Sequence, residues 1–148
     1  MTHEEYTLQQ ISVFLDNRPG TLSEVARYLA DRGINLRALS LAETRDFGTV
    51  RLIVADTKTC SDALSNSGYH HIITDVIAVA VEDRPGGMAD VLELLAEELI
   101  DVEYVYATVM TVDSHAIIIL RVNDTLKAGM ILASKGIRLM KEKEIASL

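Results

Sequence analysis

The sequence predicts an α+β protein that contains two copies of a βαββαβ unit packed side by side, and a repeated motif is the first indication. Arg-Pro-Gly stands at residues 18–20 and again at residues 84–86, and these motifs contain the only prolines among the 148 residues. In both halves the apolar pattern then alternates between strand and helix in the same order. Such self-similarity is typical of an internal duplication. The apolar helix positions also correspond, as Leu22, Val25 and Leu29 with Met88, Val91 and Leu95.

The first copy begins with a strand that leads through a turn into a helix. Residues 8–15 are rich in branched apolar side chains, which is typical of a strand. Thr21 and Glu24 have the spacing of a capping box with Thr21 as N-cap, so a helix is predicted to begin there. Gly33 is a suitable residue to end it.

The rest of the first copy reads as a hairpin, a second helix and a last strand. Residues 34–42 and 49–55 have strand character and predict the hairpin. The second helix is predicted to begin at Asp56 and to end at Gly68. Residues 69–76 return to strand character, and no flexible linker separates them from the second copy.

The second copy repeats this order with one clear departure. Leu99 occupies the position of Gly33, so the long helix there ends without glycine. The predicted elements are a strand at 77–81, a helix from Met88, a hairpin at 100–110 and 115–122, a helix from Asp124 to Gly136 and a strand at 137–140.

A βαββαβ order places both helices on one face of a four-stranded antiparallel sheet, which is the ferredoxin-like arrangement. We place the first domain at residues 1–75 and the second at residues 76–148. A unit of roughly 70 residues is marginally stable by itself because it buries little surface. We therefore expect the two copies to share an interface.

Composition limits the partners and the compartment. A formal charge of −8 with a pI near 4.9 repels phosphate backbones, so nucleic acid is not expected as a partner. Cys60 is the only cysteine, which fits a reducing compartment, and neither a signal peptide nor a membrane span is apparent. We expect a soluble, cytoplasmic protein with no membrane partner, no metal and no other cofactor.

The Arg-Pro-Gly turn has the chemistry of a small binding site. A strand, a turn and a helix N-terminus leave backbone N–H groups unpaired, and these attract a carboxylate. Asp16 and Asn17, or Glu82 and Asp83, stand beside the turn and could accept hydrogen bonds from an ammonium group. Donors for a carboxylate and acceptors for an ammonium group suit a free amino acid. A strand-to-helix turn also needs Pro, Gly and Asx for conformational reasons, and the residues alone favour that structural interpretation.

A family resemblance favours the binding interpretation. Residues 11–22, followed by Gly33-Ile34-Asn35-Leu36, resemble the ACT domain, a small βαββαβ module that binds amino acids and regulates metabolic enzymes. Residues 79–102 are similar but more divergent, with Gly86-Gly87 in place of Gly20-Thr21. The resemblance covers almost the whole chain and implies a stand-alone tandem ACT protein with no catalytic domain.

The resemblance also implies where the ligand binds. In that family it lies between two modules, held by the strand-to-helix loop of one and the start of the second strand of the other. One implied site joins the first loop to the second copy through Asp16, Asn17, Arg18, Gly20, Thr21, Leu22, Asp101 and Val102. Its twin consists of Asp83, Arg84, Gly86, Gly87, Met88, Asn35 and Leu36. No catalytic residue is implied.

Three functions remain open. The first is a non-catalytic sensor that binds a free amino acid between ACT units and regulates amino-acid metabolism, as a homodimer or with a metabolic enzyme as partner. The second is a regulatory subunit of an amino-acid biosynthetic enzyme such as acetolactate synthase, whose small subunit the first copy resembles. That family is not expected to repeat the Arg-Pro-Gly motif. The third is a small phosphatase that uses Arg18 or Arg84, for which the sequence shows no Ser–His or Cys–His arrangement.

Overall fold

A computed structural model describes residues 5–148, which form two compact units. The first unit comprises Gln9–Thr74, and the second comprises Asp75–Ala146 together with residues 5–8. We retain residues 1–75 and 76–148 as the proposed bounds of the two repeats. The boundary between the units falls inside one continuous strand.

The first unit has the predicted βαββαβ order. Its strands β1 and β2 both pair antiparallel with β3. After α2 the chain returns beside β1, where the Phe14 N–H donates to the His70 carbonyl (2.9 Å). The elements are β1 (Leu8–Asp16), α1 (Thr21–Asp31), β2 (Leu36–Glu43), β3 (Phe47–Val54), α2 (Thr57–Asn66) and the first residues of β4 (His71–Glu82).

The second unit repeats the order from the remainder of β4 onward. In its sheet β4 pairs antiparallel with β6 and β7, and β5 pairs antiparallel with β6. The elements are α3 (Gly87–Glu97), β5 (Val102–Val112), β6 (His115–Val122), α4 (Thr125–Ser134), β7 (Arg138–Leu139) and a final helix α5 (Glu142–Ser147). The α+β class and the two βαββαβ units are therefore confirmed.

Each unit has a core of its own between helices and sheet. In the first, β1 contributes Ile11, Val13 and Leu15, and α1 contributes Val25 and Leu29. The second core holds the matching residues, which are Ile77, Val79, Val81, Val91 and Leu95. Equivalent apolar positions of the two copies thus occupy equivalent places in the two cores, as the repeated apolar pattern of the sequence predicts.

The capping box predicted at Thr21 is wrong. The N-cap of α1 is Gly20, which has φ 91° and makes no side-chain cap. The Glu24 carboxylate contacts Arg18, and it does not reach back to the start of the helix. Because Gly20 adopts a left-handed conformation, the helix starts from glycine and Thr21 becomes its first residue.

The C-terminal helix α5 is absent from the sequence-based assignment. It spans six residues, and the Glu144 carboxylate accepts a hydrogen bond from the Lys141 N–H (3.1 Å). Ile145 is buried on its inner side. Among the described residues, no helix is long and apolar enough to cross a bilayer.

Candidate functional site

The turn between β1 and α1 is closed by its own hydrogen bonds. The N–H of Arg18 donates to the Asp16 carbonyl (3.0 Å). The Thr21 hydroxyl is within hydrogen-bond distance of the carbonyls of Asp16 (3.0 Å) and Arg18 (3.1 Å). With Gly20 at φ 91° and Pro19 before it, the turn has a defined shape that presents the start of α1.

Backbone N–H groups at this helix start are available to a ligand. Within residues 5–148, those of Gly20, Leu22 and Ser23 make no hydrogen bond. The first N–H groups of a helix also carry the positive end of its dipole, which favours a carboxylate. In the described part of the second copy, the N–H groups of Gly86, Met88 and Ala89 likewise make no hydrogen bond.

A cavity of about 130 Å³ lies beside the first turn, wholly within the first unit. Pockets for drug-sized ligands usually exceed about 300 Å³, so this space suits the charged end of a small molecule. Its lining includes all six residues that the sequence assigns to this half of the site, Asp16, Asn17, Arg18, Gly20, Thr21 and Leu22. The structure therefore brings these six together around one space.

The β2–β3 hairpin supplies lining residues that sequence reasoning missed. They are Leu41, Glu43 and Gly48. Gly48 pairs with both Leu15 and Glu43, so the strand register carries Glu43 to the end of β1. Only the register could have revealed this carboxylate, because Glu43 is distant from the motif in sequence. Glu43 and Asp16 give the cavity two groups that accept hydrogen bonds from an ammonium group.

The second turn has the same backbone shape. Gly86 has φ 88°, and the Gly87 N–H donates to the Arg84 carbonyl (3.0 Å). Gly87 has a purely structural reason to be glycine, because a β-carbon there would collide with the Glu82 carbonyl. The double glycine of this copy is thus explained by close backbone packing.

Both motif arginines bind carboxylates of their own unit. Arg18 contacts the Glu24 carboxylate through Nη1 (3.4 Å) and Nη2 (3.3 Å). Arg84 donates through Nε to Glu82 and through Nη2 to Asp90 (2.7 Å). These two carboxylates, Glu82 first, raise the pKa of Arg84. Both guanidinium groups are therefore paired without a ligand, and their role in binding one remains a prediction.

On its other side each turn borders a second cavity, and the two cavities have many equivalent lining residues. Their volumes are about 200 Å³ in the first unit and about 320 Å³ in the second. The equivalent polar lining residues are Asp16, Arg18, Glu24 and His70 in the first and Glu82, Arg84, Asp90 and Arg138 in the second, which is also lined by Asp113 and His115. These cavities are a feature of the repeated fold.

The remaining predicted site residues lie at the starts of β2 and β5. Leu36 is the first residue of β2 and Val102 the first of β5, each preceded by an exposed polar residue, Asn35 or Asp101. The Asp101 N–H donates to the Asn123 side chain (3.0 Å), which fixes the entry into β5. Asp101 and Val102 belong to the second unit, and Asn35 and Leu36 to the first. Their pairing with a turn of the other copy remains a prediction.

A serine–histidine contact was also missed by sequence reasoning. The Nδ1–H of His71 donates to the Tyr69 carbonyl (3.0 Å), so its Nε2 accepts from the Ser61 hydroxyl (2.8 Å). The two residues are ten apart and meet because α2 packs beside the start of β4. Ser61 lines none of the cavities described above. A hydrolase would need a substrate space and an oxyanion-binding group beside this hydroxyl.

Cys60 is a packed thiol in the core of the first unit. It is fully buried in the first core, and burial raises its pKa to about 11. A protonated thiol is a poor nucleophile and a poor metal ligand. Within residues 5–148, no group of three or more His, Cys, Asp or Glu side chains could hold a metal ion.

Comparison with known families decides the assignment of the chain. A model described as "ACT domain pair" matches residues 6–148. The chain belongs to the ACT domain pair family. Among curated proteins, no sequence matches this ACT pair.

Solved structures agree with this assignment. The ACT pair is 33% identical to protein BT0572 from Bacteroides thetaiotaomicron, with a TM-score of 0.90 over 99% of this chain and 100% of that chain. It shares its fold with the ligand-free regulatory subunit of aspartate kinase from Thermus thermophilus (17% identity, TM-score 0.61, 88% and 92% covered). It also shares the fold of part of E. coli aspartokinase III, solved in complex with lysine and aspartate (14%, 0.51, 87% and 30%).

Proposed function

We propose that this ACT pair is a non-catalytic sensor that binds a free amino acid at the turn between β1 and α1 and thereby regulates amino-acid metabolism. Membership of the family supports a regulatory, ligand-binding role. The observation that carries the proposal is the 130 Å³ cavity at a glycine turn that has unpaired N–H groups, with the acidic residues Asp16 and Glu43 also in the lining. Such a site distinguishes a zwitterion from a simple anion.

We propose a binding pose from the charged and polar groups that line the cavity. The ligand carboxylate accepts hydrogen bonds from the N–H groups of Gly20 and Leu22 at the positive end of α1. The ligand ammonium group donates to Asp16 and Glu43, both of which line the cavity. Leu41, also in the lining, offers apolar contact to the side chain.

A melting experiment tests this proposal. Each of the twenty L-amino acids is added singly at millimolar concentration, and the melting temperature is measured. A ligand present at 100 times its Kd stabilises the folded state by about 2.7 kcal/mol, which a melting scan detects. We expect one amino acid or a few related ones to raise the melting temperature, whereas their amides and N-acetyl derivatives do not.

The control variant is Lys58→Gln, which removes an exposed ion pair with Asp62 on α2; neither residue lines the cavity. The ligand should raise the melting temperature of this variant by the same amount as that of the wild type. If no amino acid changes the melting temperature, the turn only connects a strand to a helix and the proposal is wrong.

A second candidate is a regulatory subunit that works in complex with an amino-acid biosynthetic enzyme. Two structures with this fold come from aspartate kinases, and one of them is a separate regulatory subunit. Acetolactate synthase, which the sequence resemblance raises, remains the other example. Co-purification of the tagged chain with the aspartate kinase of its source organism, with and without amino acids, separates this candidate from a free-standing sensor.

We further propose that the protein acts in the cytoplasm as a homodimer. Light scattering of the full chain at micromolar concentration measures its mass, and twice the 16.3 kDa of one chain is expected. A monomeric mass over the whole concentration range would contradict the dimer.

A further inference from the structure

The two glycine turns have the same backbone but differ in what lies over them. A β-carbon built on Gly20 would meet no atom within 4 Å, so the space above that glycine is open. A β-carbon built on Gly86 would lie 3.3 Å from Nη1 of Arg84. The space that is open in the first copy is therefore filled by an arginine in the second.

The surrounding carboxylates explain why the two arginines lie differently. Glu82 stands where the first copy has Asp16, and its longer side chain reaches back to the Arg84 Nε. Asp90 stands where the first copy has Glu24, and it binds Nη2 at 2.7 Å. Nη1 also donates to the Pro85 carbonyl (3.1 Å), so the guanidinium lies across the turn itself.

Arg18 has fewer and longer contacts. Its guanidinium bonds only Glu24 among the described residues, at 3.3 and 3.4 Å. Asp16 is left free of Arg18 and lines the open cavity. Both arginines are about half exposed, so the difference between them is the number of bonds: Arg18 has one ion-pair partner, whereas Arg84 has two carboxylates and a carbonyl that together form a network.

We propose that Arg84 closes the second turn from within, so that each chain binds one amino acid, at the first turn only. This inference rests on the proposed function above. Nη1 of Arg84 lies 3.3 Å from the β-carbon position of Gly86, at the turn where a ligand carboxylate would bind, and the guanidinium cannot leave without separating from two carboxylates and a carbonyl. The duplication has thus produced one open turn and one turn that is blocked by its own side chain.

Glycine-selective ¹⁵N labelling tests the proposal at both turns simultaneously. The chain has eight glycines, so its spectrum is simple, and Gly20→Ala and Gly86→Ala identify the two signals. The probe is each of the twenty L-amino acids, titrated singly to millimolar concentration. In the wild type we expect the Gly20 signal to move and the Gly86 signal to stay, with calorimetry giving one ligand per chain.

The variant Arg84→Ser should open the second turn. We expect the Gly86 signal to respond in this variant and the stoichiometry to rise to two per chain. The matched control is Arg18→Ser, the same chemical change at the equivalent position, in which the Gly86 signal should remain silent.

The outcomes separate this inference from the proposed function. Absence of any response at either glycine contradicts the proposed function itself. Responses at both glycines in the wild type, or at Gly86 alone, keep amino-acid binding and overturn the closure of the second turn. A silent Gly86 in folded Arg84→Ser also overturns it. The wild-type measurement is decisive even if the variant does not fold.

Discussion

Leu99 ends the long helix of the second copy in the same left-handed backbone conformation that Gly33 adopts in the first copy. Both residues follow the long helix of their copy in the left-handed region, with φ 58° for Leu99 and 74° for Gly33. In both, the next N–H reaches back to the helix, from Ile100 to the Leu95 carbonyl (2.9 Å) and from Ile34 to the Leu29 carbonyl (3.0 Å). This is the Schellman ending, in which glycine avoids a steric cost that leucine carries.

Exchange of these two residues tests that cost. Leu99 is 88% exposed, so Leu99→Gly removes little packing and relieves a left-handed strain of roughly 1–2 kcal/mol. Because glycine loses about 0.5–1 kcal/mol more in chain entropy, we expect unfolding to require about 0.5–1 kcal/mol more free energy. Gly33→Leu should lower stability by a similar amount. Urea unfolding of both variants measures the change, and a loss of stability in Leu99→Gly would contradict the assignment of strain.

At the scale of elements, the second helix of each copy begins where its sequence predicts, and an aspartate side chain caps it. Asp56 accepts a hydrogen bond from the Thr59 N–H (3.1 Å), and Asp124 accepts one from the Lys127 N–H (3.0 Å). The Thr59 N–H is the main reason that the pKa of Asp56 is lowered from 3.8, followed by the Thr59 hydroxyl. The cap therefore works with an ionised carboxylate.

Two substitutions separate the cap from its charge. Asp56→Asn keeps an acceptor and should melt near the wild type at pH 7, whereas Asp56→Ala should melt roughly 2–4 °C lower. Because the folded-state pKa is lowered, the stabilisation by ionised Asp56 is present above pH 3.8 and is lost as the pH falls through the lower folded value. Asp56→Asn should therefore lose less stability than the wild type in acid.

The control for this prediction is the equivalent position of the second copy. Asp124→Ala should lower the melting temperature in the same direction, since its contact has the same geometry. An unchanged melting temperature in both alanine variants would mean that these caps do not limit the stability of the protein.

Elements were predictable from the sequence where one local rule governs them. The Asp56 and Asp124 caps and the strand at 115–122 follow from side-chain type and alternation, and the structure has them at those positions. The capping box at Thr21 failed because the left-handed Gly20 overrides side-chain capping. Glu43 beside the first turn depends on strand register, and the Arg84 contact over Gly86 depends on side-chain conformation. Neither is encoded by spacing along the chain.

At the scale of the whole molecule, residues 5–8 precede the first copy in the chain but belong to the unit of the second copy. Tyr6 is buried, and a β-carbon on Gly129 of α4 would come within 2.5 Å of the Tyr6 Cβ. Glycine inside a helix costs about 1 kcal/mol relative to alanine, and close contact with Tyr6 is the reason that it stands there. Tyr6 is thus packed against α4.

A double-mutant cycle tests this contact. Gly129→Ala should destabilise the protein in spite of the better helix propensity, because the added methyl group collides with Tyr6. In a Tyr6→Gly background, which removes the β-carbon as well as the ring, the same substitution should become neutral or stabilising. Chemical unfolding of the four proteins gives the coupling energy, and purely additive effects would show that Tyr6 does not determine the choice of glycine.

The position of Tyr6 has a consequence for synthesis. The first copy, Gln9–Thr74, is inserted in chain order between two segments of one folded body. On a ribosome that adds about 5–20 residues per second, Tyr6 waits roughly 6–25 s for the codon of Gly129 to be read. During that interval the first copy can form its own core while the leading segment has no docking surface. An amino-terminal purification tag would lengthen the segment that contains Tyr6, which can pack against α4 only after α4 has been synthesised.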